Sequence, residues 1–446
     1  MKVAVKHRFY HARVTGPFGI TARDPASRAR AGVLRTAHGE VRTPAFVPLA
    51  TKATVRGLLP AEVAALGYEM VLGNTFHLHL DPGEELIERA GGLHEFMGWR
   101  APIVTDSGGF QVFSMGHGTV ADEIKGRSPA GPERVPEAPS GAGGGPRARS
   151  RGRVLSIAEE GVRFRSYLDG GERFLAPETS MQIQARLGSD LALVFDECTP
   201  FNVSRDYTAR STERTHRWLR RCLDWHGEHG PGGQLVYGIV QGGVHEDLRT
   251  ESAEAIAASG CDGIAIGGSL GATKDEMYEV VGWATAVLGG PDEIRPRHLL
   301  GIGEIDDLIR GVELGIDTFD CAMPTRLGRH GMALVPEPER RWRVDLAKPR
   351  YKDSTEPIME GCPCPSCAAG FTRGYLRYLA HARELLGMRL LTLHNLAFVA
   401  RVMADLRAAI AAGTLPETAA ALRAGAAPGT SACCPARAGR ARRPTG

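Results

Sequence analysis

Eight short apolar runs, each ending in polar or glycine-rich residues, recur along this 446-residue chain. They are Thr43–Thr51, Tyr68–Thr75, Pro102–Gly109, Leu191–Cys198, Leu235–Gly243, Gly263–Gly268, His298–Gly303 and Asp317–Thr325. Most are separated by segments with helical periodicity, predicted over Pro60–Leu66, Glu84–Ala90, Pro177–Leu187, Ser211–His226, His245–Ala258, Lys274–Leu288 and Ile305–Leu314. Strands alternating with helices pair in parallel, because each helix returns the chain to the same end of the sheet. Eight such units over roughly 300 residues predict an α/β fold closed into a (β/α)8, TIM-like barrel. The rival is an open doubly wound sheet, but no Gly-x-Gly-x-x-Gly opens the first βα turn. In a barrel the C-terminal strand ends share one mouth. Asp106, Asp196, Gln241, Gly268 and Asp320 would then surround one pocket.

The length fits a large barrel with an appendage, and 43% apolar residues supply its core. Residues 1–335 are predicted to form the barrel and 336–424 a zinc-binding subdomain with closing helices. Residues 116–153, rich in Gly, Pro and Arg and without an aromatic, read as a disordered insertion after the third run. Residues 425–446 read as a disordered tail in which Cys433 and Cys434 are incidental. A net charge of +3 announces no global basic field, so any nucleic-acid contact must come from a local patch. No apolar run reaches the roughly 18–20 residues of a membrane span, so no membrane partner is expected. The N-terminal MKVAVKHRFYHARV has no signal-peptide core, which points to the cytoplasm and to cysteines acting as thiols or ligands.

Cys362, Cys364 and Cys367 fall within six residues, and His394 follows. Three thiolates and an imidazole complete a Cys3His tetrahedron around zinc. An amphipathic helix predicted over Tyr375–Leu391 would bring His394 back to the knuckle. Four protein ligands close the shell, so one structural Zn2+ per chain is expected.

Thr318 to Gly331 reads TFDCAMPTRLGRHG. Asp320 ends an apolar run, and Thr325, Arg326 and Arg329 follow in what reads as a loop punctuated by Gly328 and Gly331. A lone acid beside two guanidiniums suggests a nucleophile next to an anion site; a salt bridge closing a βα turn is the plainer alternative. Asp106-Ser107-Gly108-Gly109-Phe110 ends the third run, offering a carboxylate, bare backbone and a stacking face. Asp196 ends the fourth run, Gln241 the fifth and Gly268 the sixth. A guanine edge presents two donors beside an acceptor. Carboxylates can accept from N1–H and N2–H while a glutamine amide and a backbone N–H satisfy O6. Phe110 could stack on the ring, and the arginines suit phosphates.

The motifs DSGGFQVFS, FDECTP, VQGG, FDCAMPTR, CPCPSC and LLTLHN, in that order, closely resemble those of bacterial tRNA-guanine transglycosylases, the queuine tRNA-ribosyltransferase family. The resemblance runs from about Phe18 to about Leu422, interrupted by 116–153. It implies an irregular (β/α)8 barrel with a zinc subdomain. The implied activity exchanges guanine at the wobble position of GUN-anticodon tRNAs for 7-aminomethyl-7-deazaguanine, through a covalent ribosyl-aspartate. By position, the resemblance implies Asp320 as nucleophile and Asp106 as general acid/base. It implies Ser107, Gly108, Gly109, Phe110, Asp196, Gln241, Gly268 and Leu300 as base-binding. It implies two RNA-contacting segments: Gly301, Ile302, Gly303, Glu304, Ile305, Asp306 and Asp307, and Thr325, Arg326, Leu327, Gly328 and Arg329. The implied partners are the tRNA anticodon loop, guanine and the 7-deazaguanine base, and a second copy of the chain in a homodimer.

Three departures stand out. Gly267 to Thr273 reads GGSLGAT where many members read GGLAVGE, so the usual acid of this loop is absent and an aminomethyl preference would rest on carbonyls near Ser269 and Leu270. Leu300 replaces a methionine found in some members. The Cys367-to-His394 spacing is one residue long, which a loop near Ala368–Gly370 can absorb. Other function classes remain: a non-catalytic zinc RNA-binding protein, a transglycosylase for a 7-cyano base or another nucleic acid, and a barrel metallohydrolase. The last would need ligands gathered at strand ends, and His77-Leu78-His79 lacks evident partners.

Overall fold

The structure, a computed structural model, describes residues 16–116, 154–200, 203–290 and 293–429. The N-terminal segment, nearly all of the 116–153 insertion and the last seventeen residues of the predicted tail (430–446) therefore lie outside the described residues. Gly116 itself ends the helix Gly109–Gly116.

All eight apolar runs form strands of one parallel sheet: Ala45–Val47, Val71–Gly73, Ile103–Thr105, Leu191–Leu193, Leu235–Val240, Gly263–Ile266, Arg297–Leu299 and Thr318–Asp320. They are called here the first to eighth barrel strands. The eighth pairs with the first, with Phe319 opposite Phe46. First and second are joined more sparingly, by a bridge between Leu49 and Leu72. Ala50 N–H donates to Leu72 O at 2.7 Å there. The ring is thus closed. Strand residues such as Val104, Ala192, Ile239, Ile264 and Phe319 are buried, because a parallel strand is covered on both faces.

The predicted helices appear with ends shifted by a residue or so, for example Pro60–Ala65, Lys274–Val287 and Ile305–Glu313. One runs longer than periodicity suggested, Arg205–His229, because Ser204 caps it by accepting from Tyr207 N–H.

A two-stranded antiparallel sheet, Met332–Leu334 with Arg343–Asp345, was not anticipated, nor were two three-stranded ones. Phe18–Arg23, Arg30–Thr36 and Gly39–Thr43 form one, and it plugs the N-terminal end of the barrel. Arg30 reaches Asp317, which immediately precedes the eighth strand, at 2.6 Å with both side chains fully buried. His38 bonds Asp190, at the start of the fourth, at 2.8 Å. Val154–Ile157, Val162–Arg165 and Glu172–Leu175 form the other, inserted between the third strand and its helix Pro177–Leu187.

The helix predicted over Tyr375–Leu391 is two helices, Arg373–Ala382 and Leu385–Ala412. The break is Arg383, which adopts a left-handed φ of 58° and ends the first helix. Thr325–Arg329 is also not a loop but part of the helix Met323–Arg329, started by Pro324. Gly328 serves helix crossing: a Cβ there would lie 2.7 Å from the backbone nitrogen of Thr392. The 28-residue Leu385–Ala412 helix packs on this turn and along the barrel wall, sharing its core through Leu393, Phe398, Val402 and Leu406. It corrects one expectation. An 18-residue window within it has a mean hydropathy of 1.3, apolar and long enough to cross a membrane, yet 67% of that window is buried inside the protein.

Candidate active site and metal nest

The mouth is assembled from the ends of seven strands. Asp106 directly follows the third strand. Its Oδ1 accepts from Thr75 N–H at 2.8 Å and its Oδ2 from Gln111 Nε2 at 3.1 Å and from the Asn74 amide. Asn74 also caps the helix Thr75–Leu80, accepting from His77 N–H at 2.9 Å, so its orientation is fixed by the helix it starts. Part of Asp106 remains open at the mouth, but its carboxyl is enclosed. Burial pushes that carboxyl up to about 7, against the Thr75 donor and helped by the negative charge of Asp320.

Asp320 is the last residue of the eighth strand and is buried. Its Oδ1 accepts from Gly301 N–H at 3.0 Å and from His298 Nε2 at 3.1 Å. Asp196 is held by Ser107 Oγ at 3.0 Å and Gln241 Nε2 at 2.6 Å. Burial raises its carboxyl to about 6 although both donors oppose the rise. Gly268 has a φ of +79°, and a Cβ there would collide with the Gln241 amide; only glycine fits. A Cβ at neighbouring Gly267 would lie 3.2 Å from Leu300 and 3.4 Å from Gln241. Ser107, Asp196, Gln241, Gly268 and Leu300 thus form one wall, as the shared mouth predicts. Phe110, the second residue of the helix Gly109–Gly116, is half-buried beside them.

Two residues that sequence reasoning missed shape this wall. Arg249 is fully buried. Its guanidinium donates to Gly243 O at 2.7 Å, Val240 O at 3.1 Å, Gly267 O at 2.8 Å and Ser269 O at 2.8 Å, tying the fifth- and sixth-strand loops together. The second residue braces the sixth-strand loop. Glu276, in the first turn of the next helix, accepts from Ala272 N–H at 2.7 Å and Thr273 N–H at 3.3 Å. Its signal was the capping pattern Thr273-x-x-Glu276. The Ser269 carbonyl, already engaged by Arg249, can reach a ligand only with its second lone pair.

Among the predicted RNA-contacting residues, Gly301 to Glu304 form the loop after the seventh strand, whereas Ile305, Asp306 and Asp307 are the first turn of a helix. The acids here are internally neutralised. Glu304 bonds Arg341 at 2.7 Å and Arg343 at 2.8 Å. Burial opposes its charge, but Lys274 and these arginines hold it down to about 2. Lys274 and the Tyr278 hydroxyl each reach Asp307 at 2.8 Å, and Trp342 Nε1 donates to Asp306 at 3.0 Å. Arg326 and Arg329 are half-exposed, and among the described residues neither has a carboxylate within ion-pair distance. Burial, with Arg56 and Arg326 nearby, pulls Arg329 below its usual value. Like charges gathered without an acid favour an incoming anion.

His77 and His79 make hydrogen bonds, to Tyr167 OH at 3.0 Å and to Glu84 Oε2 at 2.8 Å. Neither belongs to a group of described residues with metal-ligand spacing.

Cys362, Cys364, Cys367 and His394 converge near the C-terminus. The three sulfurs lie 3.7, 3.4 and 3.5 Å from His394 Nδ1. A tetrahedron with zinc's bond lengths to sulfur and nitrogen sets these atoms about 3.6 Å apart, so the nest fits a zinc-sized ion. His394 Nε2 donates to Leu334 O at 2.8 Å, which turns Nδ1 toward the three sulfurs. Gly370 closes the short helix Pro365–Ala368 with a turn, its N–H donating to Cys367 O at 3.0 Å.

A family model described as queuine tRNA-ribosyltransferase matches residues 24–135 and 143–427. Curated proteins named queuine tRNA-ribosyltransferase are similar along nearly their whole lengths. The protein from Roseiflexus sp. (strain RS-1) is 47% identical over 409 residues, covering 90% of this chain and 97% of its own. Those from Pelotomaculum thermopropionicum and Symbiobacterium thermophilum are 44% and 43% identical, each across 89% of this chain and 95% and 88% of theirs.

Proposed function

The chain belongs to the queuine tRNA-ribosyltransferase family, and we propose that it exchanges guanine at the wobble position of GUN-anticodon tRNAs for 7-aminomethyl-7-deazaguanine. The observation that carries this reading is a pair of carboxyls at one mouth in different surroundings. Burial and the charge of Asp320 raise the Asp106 carboxyl to about 7, while Oδ1 of Asp320 accepts from two N–H donors, His298 Nε2 and Gly301.

The target nucleoside leaves the single-stranded loop and enters the mouth. The Asp320 carboxylate attacks C1′, the glycosidic bond breaks, and guanine departs with a proton from Asp106. A ribosyl ester remains on Asp320. The ester is neutral, so the charge that raised Asp106 is gone, and Asp106 is the better base for the second half. It takes the ring proton of the incoming base, which attacks C1′ and frees Asp320. Two inversions retain configuration, as in retaining glycosidases. Asp196, Gln241 and the Gly268 backbone read the purine edge, and Phe110 and Leu300 cover its faces.

Arg326 and Arg329 take backbone phosphates, and the Gly301–Asp307 segment lies beside the strand. One structural zinc in the Cys3His nest contributes folding energy to residues 336–424 and takes no part in the reaction. Exposed Tyr375, Tyr378, Leu385 and Leu386 suit a second copy of the chain in a homodimer. Cys198, Cys222, Cys261, Cys362, Cys364 and Cys367 are free thiols, which suits a cytoplasmic, reducing setting. Incubation with labelled guanine and unmodified tRNA tests the reading. Label should enter the tRNA with wild-type protein and not with Asp320→Asn. Label entering equally with both, or with neither, overturns it.

A further inference from the structure

We propose that His298 is a positioning residue that, with Gly301 N–H, reserves Oδ1 of Asp320 as the charge-bearing oxygen and leaves Oδ2 to attack C1′. This rests on Asp320 being the nucleophile. His298 is 2% exposed in the middle of the seventh strand, directly opposite Thr318 of the eighth. Residues two apart on a strand share a face, so Thr318 and Asp320 face the same way. The imidazole spans both: Nδ1 lies 2.9 Å from Thr318 Oγ1 and Nε2 lies 3.1 Å from Asp320 Oδ1. A carboxylate only accepts, so Nε2 carries the hydrogen and donates. The Thr318 hydroxyl can donate to Nδ1 and so hold that tautomer. Gly301 N–H, at 3.0 Å, is a second donor to the same oxygen. Among the described residues no hydrogen bond reaches Oδ2.

The consequence concerns both half-reactions. In the first, an Oδ2 electron pair forms the bond to C1′ while the C1′–N9 pair leaves with guanine, which takes the Asp106 proton. Oδ1 becomes the ester carbonyl and keeps both donors. In the second, the incoming base, its proton passed to Asp106, bonds C1′, and the C1′–Oδ2 pair returns to Asp320. The charge then spreads onto Oδ1, where both donors bind it more strongly than they bound the neutral ester. His298 therefore favours ester breakdown over ester accumulation, acting through Asp320 without touching the ribose.

The test is His298→Phe in the full-length protein, with guanine exchange kinetics and the amount of covalent protein–tRNA adduct as readouts. Loss of one charge-assisted donor predicts about a ten- to hundredfold fall in kcat with little change in KM for tRNA, and adduct accumulating above the wild-type level. His298→Gln, whose amide can donate to Oδ1, should recover most of the rate and lower the adduct again. A merely structural role would not raise the adduct. Exchange within twofold of wild type in His298→Phe overturns the proposal. So does a loss without adduct accumulation, or one that Gln does not repair. If His298→Phe does not fold, Thr318→Val serves: slower exchange with raised adduct supports the tautomer lock, and wild-type behaviour overturns it. Exchange surviving in Asp320→Asn would sink the nucleophile reading, whereas a dead Asp320→Asn beside a normal His298→Phe sinks only this proposal.

Discussion

Replacing Asp106 by Asn should move stability and turnover in opposite directions. In the native protein, burial and the Asp320 charge lift this carboxyl from 3.8 to about 7. Between those values the folded chain keeps a proton that the unfolded chain has released. The folded state binds more protons, so stability falls as pH rises through the window. At about 1.4 kcal/mol per unit, the rise corresponds to about 4 kcal/mol across the whole window, of which about 3 kcal/mol falls between pH 5 and 8. Asparagine does not titrate. The stability of Asp106→Asn relative to wild type should therefore grow by about 3 kcal/mol over that range. A chain of this size gains roughly 1 °C in Tm per kcal/mol, so scanning calorimetry in buffers of matched ionic strength should find a relative gain of about 3 °C. Guanine exchange in the same buffers should fall by at least about 10²-fold in the variant, the scale of one general acid/base. A Tm difference that does not change with pH would show that Asp106 titrates normally and would refute the reasoning. Asp320→Asn supplies an internal control: without the anionic neighbour, the Asp106 window should move to lower pH.

Cys364→Ala should release the metal and destabilise the C-terminal region, because a structural zinc's binding energy is folding energy; elemental analysis finding no zinc in folded, active protein would contradict this. Arg326→Ala and Arg329→Ala should each lower the salt slope of tRNA binding by about 0.7 for every loop phosphate left unneutralised, with guanine-edge recognition unchanged; an unaltered slope in nitrocellulose filter binding would remove them from the RNA path. With the Ser269 carbonyl engaged by Arg249 and Glu276 committed to the Ala272 and Thr273 amides, the aminomethyl base should keep only a reduced advantage over unsubstituted and 7-cyano 7-deazaguanine. The advantage should be smaller by the roughly ten- to hundredfold that one charge-assisted hydrogen bond confers, and competition kinetics showing strong exclusion of the cyano base would refute it.

The eight strands, and the site residues at their C-terminal ends, were legible because strand burial and helix amphipathicity write local periods into the chain. The same reasoning located the Cys3His cluster, since three thiols so close in sequence need only one returning histidine. It misplaced what depends on distant packing. Thr325–Arg329 reads as a loop by its glycines, yet Gly328 is a helix residue whose missing side chain lets Thr392 approach. The N-terminal sheet went unseen because its role, plugging the barrel through Arg30 and Asp317, joins opposite ends of the chain.

What the sequence by itself determined, then, was the inventory: a barrel, a mouth lined by Asp106, Asp196, Gln241, Gly268 and Asp320, and a metal nest. Only the tertiary structure decided how those groups are charged and aimed. The Asp106 carboxyl is raised to about 7 by burial and by the charge of Asp320, while Asn74 and Thr75 from the neighbouring strand end fix its direction. Glu276 braces the sixth-strand loop through the Ala272 and Thr273 amides. Oδ1 of Asp320 is engaged, and Oδ2 left open, by His298 and Gly301 from the adjacent strand. Hydrogen bonds and desolvation act through space over a few ångströms, so they are set by which strand ends the closed barrel brings together and not by spacing along the chain.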